Sequence, residues 1–127
     1  MTENEIAKVV VDAAFKIHSK LGPGMFESVY ERIMICELTK RGLTVISQKP
    51  IAIVYETEEF DEGFRADLIV EDKVILELKS VETVLPVHKK QLLTYLRLAD
   101  KRLGLLINFG EALIKDGIYR IVNNLIE

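Results

Sequence analysis

The chain has 127 residues, of which 49% are hydrophobic and 29% are charged, and its formal net charge is −3 at pH 7. This length and apolar share predict one domain over residues 1–127 with a substantial core. No apolar run approaches the ~20 residues of a membrane helix, which argues against a membrane protein. The single Cys36 excludes an internal disulfide framework and a cysteine metal cluster. Together with an acidic N-terminus unlike a secretory signal, it indicates a cytoplasmic protein.

The first predicted elements are two helices. Thr2 and Glu5 have the spacing of a capping box, in which each side chain accepts a hydrogen bond from the other residue's backbone N–H. Apolar residues then recur at helical spacing until the glycines and proline of residues 22–24 end the helix. A second helix is predicted from about residue 26 to residue 41, and Gly42 closes it.

Strand signals follow the helices. Residues 43–47 and 51–55 are rich in β-branched and aromatic residues, which predicts two strands. Pro50 marks the entry to the second of them and limits its pairing. Residues 57–63 are acidic and turn-like, and residues 64–70 form the next predicted strand.

The second half of the chain alternates strand and helix signals. Residues 74–79 predict a strand, residues 86–99 a helix with one apolar stripe, and residues 103–108 a short buried strand. Residues 112–125 are ambiguous, since their last eight positions fit either a strand or a short helix. The order α-α-β-β-β-β-α-β, followed by this tail, predicts an α/β fold with helices on both faces of a mixed sheet.

Charged residues interrupt the apolar strands at 64–70 and 74–79, and a hairpin register explains their placement. If the turn centres on Asp72, one face carries only apolar pairs: Val70 with Val74, Leu68 with Leu76, and Ala66 with Leu78. The other face carries the charged pairs: Ile69 with Ile75, Asp67 with Glu77, and Arg65 with Lys79.

Asp67 and Glu77, if directly opposed, predict a cation site. Their Cβ atoms would lie roughly 4.5–5.5 Å apart, so the two carboxylates would repel each other and one would hold a proton at neutral pH. A divalent cation relieves that repulsion, and oxygen ligands of this kind suit Mg²⁺ or Mn²⁺. Lys79 points to the same face, where it can orient an attacking water or stabilise developing charge.

A structural alternative to this site stays open. Acid-x-lysine triplets are common, and residues 71–73 form a second one in this chain. The charged face of the hairpin is equally compatible with a solvated ladder of ion pairs at the edge of the sheet.

Motifs along the chain resemble a known group of proteins. Asp67 followed by Glu77-x-Lys79, after an N-terminal helical segment, resembles the PD-(D/E)XK nuclease superfamily. Residues 24–30 read G-x-x-E-x-x-Y, which is similar to the GxxExxY protein family within that superfamily. Further matching motifs lie at residues 63–68, 76–79, 91–96 and 106–110, so that the resemblance extends from about residue 5 to residue 123.

The resemblance implies a restriction-endonuclease-like mixed sheet flanked by helices, and a nuclease site. Asp67 and Glu77 would bind Mg²⁺, with Mn²⁺ as the alternative ion, and the backbone carbonyl of Leu78 would be a further ligand. Lys79 would position the water. Glu27, on the helix before the sheet, would complete the site, whereas Tyr30 of the same motif is expected in the core.

The resemblance also implies a role for the helix at 86–99. Gln91 and Tyr95 match the Q-x-x-x-Y motif of a subset of these nucleases and lie on one helical face. The superfamily's name has proline before the first acid, and this chain has Ala66 there, at a position that varies. Basic residues in this region are expected to contact phosphates, unless they are only the solvated face of the helix: Lys89, Lys90, Arg97 and Arg102.

The function that follows is metal-dependent hydrolysis of phosphodiester bonds in DNA or RNA. One alternative is a non-catalytic module with a nuclease fold that binds nucleic acid or protein. A second is an enzyme acting on a small phosphate compound. Because the chain is short and shows no added recognition domain, specificity would come from loops or from a homo-oligomer.

Overall fold

Three helices and five strands make up the fold over the part of the chain that is described. The computed structural model describes the backbone of residues 1–127 and the side chains of residues 1–60 and 63–127. In chain order the elements are α1 (Glu3–Leu21), α2 (Glu27–Lys40), β1 (Val45–Tyr55), β2 (Glu58–Val70), β3 (Val74–Lys79), α3 (Pro86–Ala99), β4 (Leu103–Asn108), a 3-10 turn (Ile114–Gly117) and β5 (Ile118–Val122).

The two N-terminal helices follow the local signals in the sequence. The predicted capping box is confirmed, because the Glu5 N–H donates to Thr2 Oγ1 at 3.2 Å and the Thr2 N–H donates to Glu5 Oε1 at 3.1 Å. Helix α1 ends before Gly22, whose φ of +69° suits glycine. None of the helices described is both long and apolar enough to cross a membrane.

The sheet is mixed and has the strand order β1-β2-β3-β4-β5. Strands β3 and β4 are parallel and are joined through α3, while the other neighbouring pairs are antiparallel. Parallel neighbours need a crossover of a dozen or more residues, and α3 supplies it. The fold is therefore the predicted restriction-endonuclease-like α/β arrangement.

The two faces of the sheet bury separate apolar clusters. On one face, residues of α1 and α2 pack on the strands, including Ile6, Val10, Tyr30, Met34, Leu68 and Leu76. On the other face, α3 packs on a smaller cluster that includes Leu92, Leu96, Ile69, Ile75 and Leu106. Burial of these side chains is the main favourable term in folding, and it fixes which side of β3 faces α3.

Two predictions about the first hairpin are wrong. The strands expected at 43–47 and 51–55 form one strand, β1, which contains Pro50. Strand β1 lies at the edge of the sheet, where the missing N–H of a proline can face away from the neighbouring strand. Within the acidic stretch at 57–63, only Thr57 lies in the turn, because β2 begins at Glu58, which pairs with Tyr55. The side chains of Asp61 and Glu62 lie outside the described ones.

The observed element order is thus α-α-β-β-β-α-β, with one strand fewer than predicted before α3. The ambiguous tail resolves into a 3-10 turn and β5. Strand β5 pairs antiparallel with β4 from Leu103↔Val122 to Ile107↔Ile118. The tail is a strand, not a helix, because its backbone groups pair with those of β4.

Candidate active site

The candidate site begins where backbone pairing between β2 and β3 ends. The predicted register is confirmed at Leu68↔Leu76, Ile69↔Ile75 and Val70↔Val74. Beyond these pairs, side chains replace the ladder: the Leu78 N–H donates to Asp67 Oδ2 at 2.9 Å, and the Asp67 N–H donates to Glu77 Oε1 at 3.4 Å. The structure therefore brings Asp67 and Glu77 together through side-chain bonds, whereas the predicted ladder pairs of Asp67 with Glu77 and Arg65 with Lys79 do not form.

Ala66 lies on the opposite face from the one predicted. It packs with Ile69 in the cluster under α3, whereas Leu68 packs in the cluster under α1 and α2. The regular alternation of β2 is therefore interrupted between Ala66 and Leu68, at Asp67. Gln48, which lies opposite this point on β1 between two paired positions, has a φ of +51°, an uncommon value outside glycine. This irregularity accompanies the hydrogen bond from the Leu78 N–H to the Asp67 side chain.

Glu77 is a buried carboxyl beside a second carboxyl. Only 8% of the residue is exposed. Burial and then the charge of Asp67 raise the pKa of Glu77 to about 8, although the N–H of Asp67 and the charge of Lys79 act in the opposite direction. In the absence of a cation, this upward shift favours the protonated form of Glu77 at neutral pH, the direction expected for one of two adjacent acids.

Lys79 lies on the same side of β3 as Glu77. Alternate residues of a strand share a face, and Ile75, two positions before Glu77, packs in the cluster under α3. Lys79 is half-buried, and it pairs with Asn108 in the parallel register with β4. Asp67, Glu77 and Lys79 thus converge at the end of β3, as the sequence predicted for these three residues.

An aromatic stack includes Tyr95, which lies near the acid pair. The rings of Phe64 and Tyr95 are 3.6 Å apart between centroids, with an angle of 7° between their planes. Burial, and then the charges of Glu77 and Asp67, raise the pKa of Tyr95, so its hydroxyl is near both acids. Gln91 lies one helical turn before Tyr95 but is exposed, and its side chain makes no hydrogen bond within the described part of the chain.

Glu27 is near the end of β3 but does not join the acid pair. It is the first residue of α2 and is exposed, and its Oε1 accepts a weak hydrogen bond from the Ser80 N–H at 3.4 Å. Among the side chains described, no three acidic, histidine or cysteine residues are grouped closely enough to hold a metal ion. Glu27 therefore lies beside the site in this structure, separate from Asp67 and Glu77.

The basic residues predicted to meet phosphate have different surroundings. Lys89 Nζ lies 3.9 Å from the centre of the Tyr119 ring, and Arg102 Nη2 lies 3.0 Å from Asp100 Oδ1. Lys90 and Arg97 are exposed and form no ion pair within the described side chains. These last two are about two helical turns apart and share one face of α3.

Asn108 is a polar residue of this region that sequence reasoning missed. It is fully buried. Its side-chain oxygen accepts hydrogen bonds at 3.0 Å from the N–H groups of Val81 and Gly110, and its side-chain nitrogen donates to the Val81 carbonyl at 2.9 Å. The sequence signal for it was an asparagine at the end of the apolar strand β4. A buried amide needs hydrogen-bond partners, so an asparagine there indicates a structural contact with nearby backbone groups.

The donor chemistry of the acid pair fits a hard divalent cation. Each carboxylate uses one oxygen to accept a backbone N–H, and the others, Asp67 Oδ1 and Glu77 Oε2, accept no hydrogen bond from the described part of the chain. A cation between these oxygens would remove the repulsion that raises the pKa of Glu77. Two carboxylates and a main-chain carbonyl are the ligand types that Mg²⁺ prefers over softer metals.

The comparisons with known proteins agree with this geometry. A family model described as the PD-(D/E)XK nuclease superfamily matches residues 4–121. Neither the curated proteins nor the solved structures give a match. The narrower resemblance to GxxExxY proteins stays a prediction. The matched region contains Asp67, Glu77 and Lys79 and nearly the whole fold, and the chain belongs to the PD-(D/E)XK nuclease superfamily.

Proposed function

We propose that this protein is a metal-dependent nuclease that hydrolyses phosphodiester bonds in DNA or RNA. One observation carries the proposal: Glu77 is buried against Asp67 and its pKa is raised to about 8, on the same face of β3 as Lys79. Burying Glu77 beside the half-buried Asp67 costs stability unless a ligand compensates. In a chain of a nuclease superfamily, the arrangement is best explained by catalysis.

Asp67, Glu77 and the backbone carbonyl of Leu78 would hold the cation, with Mg²⁺ as the expected ion and Mn²⁺ as the alternative. When bound, such a cation lowers the pKa of a coordinated water and neutralises charge on the phosphoryl group. The hydrogen bond from the Leu78 N–H to Asp67 Oδ2 keeps the Asp67 side chain at the end of β3. Binding energy is then not spent on ordering that side chain.

Lys79 would act on the water and on the phosphate. Its ammonium group is a point charge with three donors, placed on the same face as the acids. It would donate a hydrogen bond to the attacking water and stabilise the negative charge that develops on the phosphoryl oxygens. Only 8% of Glu77 is exposed, and this limited contact with bulk water strengthens these electrostatic interactions.

Glu27 and Gln91 would complete the surroundings of the site. Glu27 uses Oε1 for the Ser80 N–H, so its other oxygen is available to a water bound near the cation. Gln91 is exposed on α3, one turn from Tyr95, and would donate to the nucleic acid or to the attacking water. In both roles, the side chains of Glu27 and Gln91 would contact the bound water or the substrate only after the substrate binds, because catalytic hydrogen bonds often tighten in that complex.

Nucleic acid would approach along α3. Lys90 and Arg97 are exposed on one face of this helix and would contact phosphates. Lys89 and Arg102 would join them on leaving Tyr119 and Asp100, their present partners. A bound cation would also offset part of the negative charge of the site, which reconciles a net charge of −3 with a polyanionic substrate.

Cleavage assays on single- and double-stranded DNA and RNA test the proposal. We expect Mg²⁺-dependent cleavage by the parent, which is lost with EDTA and in Asp67→Asn, Glu77→Gln and Lys79→Ala. The second acid-x-lysine triplet of the chain supplies a matched control: Lys73 is exposed and donates to the Met1 carbonyl, so Lys73→Ala should cleave like the parent. Equal cleavage by Lys79→Ala and Lys73→Ala would exclude the proposed role of Lys79.

A second candidate function is a non-catalytic module that keeps the nuclease fold for binding. It is favoured by one observation, namely that Glu27 does not join Asp67 and Glu77 in a three-acid group. A titration with Mn²⁺ in the absence of nucleic acid separates the two functions. The nuclease should bind Mn²⁺ with an affinity that falls in Asp67→Asn, whereas a module without a working site should show no such dependence.

A further inference from the structure

The two residues that follow Lys79 are hydrogen-bonded on both sides, and these bonds also restrict the backbone of Lys79. Ser80 and Val81 leave the end of β3 and connect it towards α3. Among the described side chains and backbone, their hydrogen bonds go to two places: residues 25–27 around the start of α2, and the end of β4. Residues 80–81 are called the 80–81 segment below.

On the side of α2, Ser80 binds the loop before the helix. Ser80 Oγ donates to the Met25 carbonyl at 2.6 Å, and the Ser80 N–H donates to Glu27 Oε1 at 3.4 Å. The loop is itself fixed by Tyr30, which is fully buried. The Tyr30 hydroxyl donates to the Gly22 carbonyl at 2.6 Å and accepts from the Met25 N–H at 3.4 Å. The G-x-x-E-x-x-Y motif thus provides a rigid support for Ser80.

On the side of β4, Asn108 binds Val81 through both atoms of its amide, as described above. Gly110 allows the close approach that this requires, because a Cβ at Gly110 would lie 2.2 Å from the Val81 carbonyl oxygen. The Phe109 N–H donates to the Lys79 carbonyl at 2.8 Å. Residues 108–110 therefore hold the backbone of both Lys79 and Val81.

The two sides also contact each other. The Phe109 ring stacks on the Tyr30 ring with centroids 4.3 Å apart and planes 6° apart. A displacement at one support is therefore resisted by the other, since packed interiors transmit strain. The opposite flank of Lys79 is held as well, because the Leu78 N–H donates to Asp67.

We propose that Ser80 and Asn108 are positioning residues, which act through the 80–81 segment to hold Lys79 against the acid pair. Lysine has a flexible stem with four rotatable bonds, so the position of its ammonium group depends on a fixed backbone. Misplacing a catalytic group by about 1 Å can cost on the order of 100-fold in rate. The inference rests on the proposed function for its kinetic consequence, but the placement of Lys79 is measurable without turnover.

Three serine variants test the proposal kinetically. Ser80→Ala removes the donor to Met25, and kcat should fall about tenfold or more while KM and the affinity for Mn²⁺ remain those of the parent. Ser80→Thr keeps the hydroxyl and should restore kcat; its extra methyl group can enter the open groove of about 600 Å³ that Ser80 lines with residues of the α2 start. Ser19→Ala, at an exposed serine of α1, is the control and should match the parent.

A second measurement reports on Lys79 directly. Lysines carrying ¹³C-methyl groups give separate NMR signals, and the signal that disappears in Lys79→Arg belongs to Lys79. In Ser80→Ala and in Asn108→Ala, which removes the amide's hydrogen bonds to Val81 and Gly110 without adding a charge, this signal should shift or broaden, and it should return in Ser80→Thr. The signals of the other lysines should remain unchanged.

The outcomes separate the inference from the proposed function. An unchanged Lys79 signal in both variants overturns the inference, whether or not the parent cleaves nucleic acid. A parallel fall of Mn²⁺ affinity, thermal stability and kcat in Ser80→Ala also overturns it, since that pattern indicates a purely structural role. If the parent does not cleave but the Lys79 signal responds as expected, the positioning holds and the proposed function fails.

Discussion

Glu77 is buried beside Asp67, and the Asp67 N–H donates to Glu77 Oε1 at 3.4 Å while the Leu78 N–H donates to the Asp67 side chain. The Glu77 carboxylate thus accepts from the main chain of Asp67. The Asp67 carboxylate accepts from the Leu78 N–H, in place of a hydrogen bond between the two strands. The cost of this arrangement is visible in the pKa of Glu77, which burial and Asp67 raise to about 8. The site is prepared for a positive charge that the polypeptide alone supplies only in part, through Lys79.

Glu77→Gln should make the metal-free protein less sensitive to alkaline pH. The pKa of Glu77 is about 8 in the folded state and about 4.5 ordinarily, so the folded state binds this proton more tightly. The resulting contribution to stability is complete below about pH 4.5 and is lost as the pH rises to 8. The loss is on the order of a few kcal/mol for a shift of this size, and glutamine, which does not ionise, avoids it.

Urea unfolding in EDTA at pH 6 and pH 8 measures this effect as the difference between the parent and Glu77→Gln. The parent should lose more stability between the two pH values than the variant does. Glu82→Gln, at an exposed acid, is the control and should follow the parent. Identical pH dependence of the parent and Glu77→Gln would contradict the burial of an ionisable carboxyl at this position.

Local patterns in the sequence predicted much of this site. The alternation of residues in β2 and β3 predicted the register at three pairs, because a slip of one residue would have mixed the two faces. Lys79 follows Glu77 at the two-residue spacing of a strand face, which any continuous strand would preserve. The capping box of Thr2 and Glu5 depends on residues three apart and needed no tertiary information.

Features that depend on distant contacts could not be predicted. The interruption of β2 at Asp67 is coupled to a hydrogen bond with Leu78 and to the left-handed Gln48 on a third strand segment. Pro50 was predicted to mark a break between two strands. A strand can contain a proline when it lies at the edge of the sheet, and the sequence alone does not show that β1 is an edge strand. Asn108 finds its partners at Val81, 27 positions away.

Binding of Mn²⁺ at pH 7 should release about one proton. Glu77 is mainly protonated at this pH, since its pKa is about 8, and it must ionise to act as a ligand. Calorimetric titrations in buffers with different ionisation enthalpies measure the number of protons. The release should decrease above pH 8 and should be absent in Glu77→Gln, which should also bind Mn²⁺ more weakly. Release of one proton by that variant would assign the ionisation to another group.

Tyr30→Phe should destabilise the fold by about 1–2 kcal/mol, because it removes a buried hydroxyl that donates to the Gly22 carbonyl. The carbonyl would be left without this partner, while the stack on Phe109 would be kept. Urea unfolding measures the change. Tyr55→Phe is a matched control, because Tyr55 is 67% exposed, and it should change stability little. Equal effects of the two variants would contradict the support of the α2 loop by Tyr30.

Lys90→Ala and Arg97→Ala should each weaken nucleic-acid binding without changing its sequence preference. Each exposed side chain on α3 would neutralise about one phosphate, so each variant should lower the slope of log K against log salt by about one unit. Fluorescence anisotropy with labelled oligonucleotides, in a Lys79→Ala background that prevents cleavage, gives the slope. Lys115→Ala is the control: Lys115 is also exposed, but it belongs to the 3-10 turn that contacts α1 and β4. The same change of slope in all three variants would indicate attraction by overall charge and would exclude a specific path along α3.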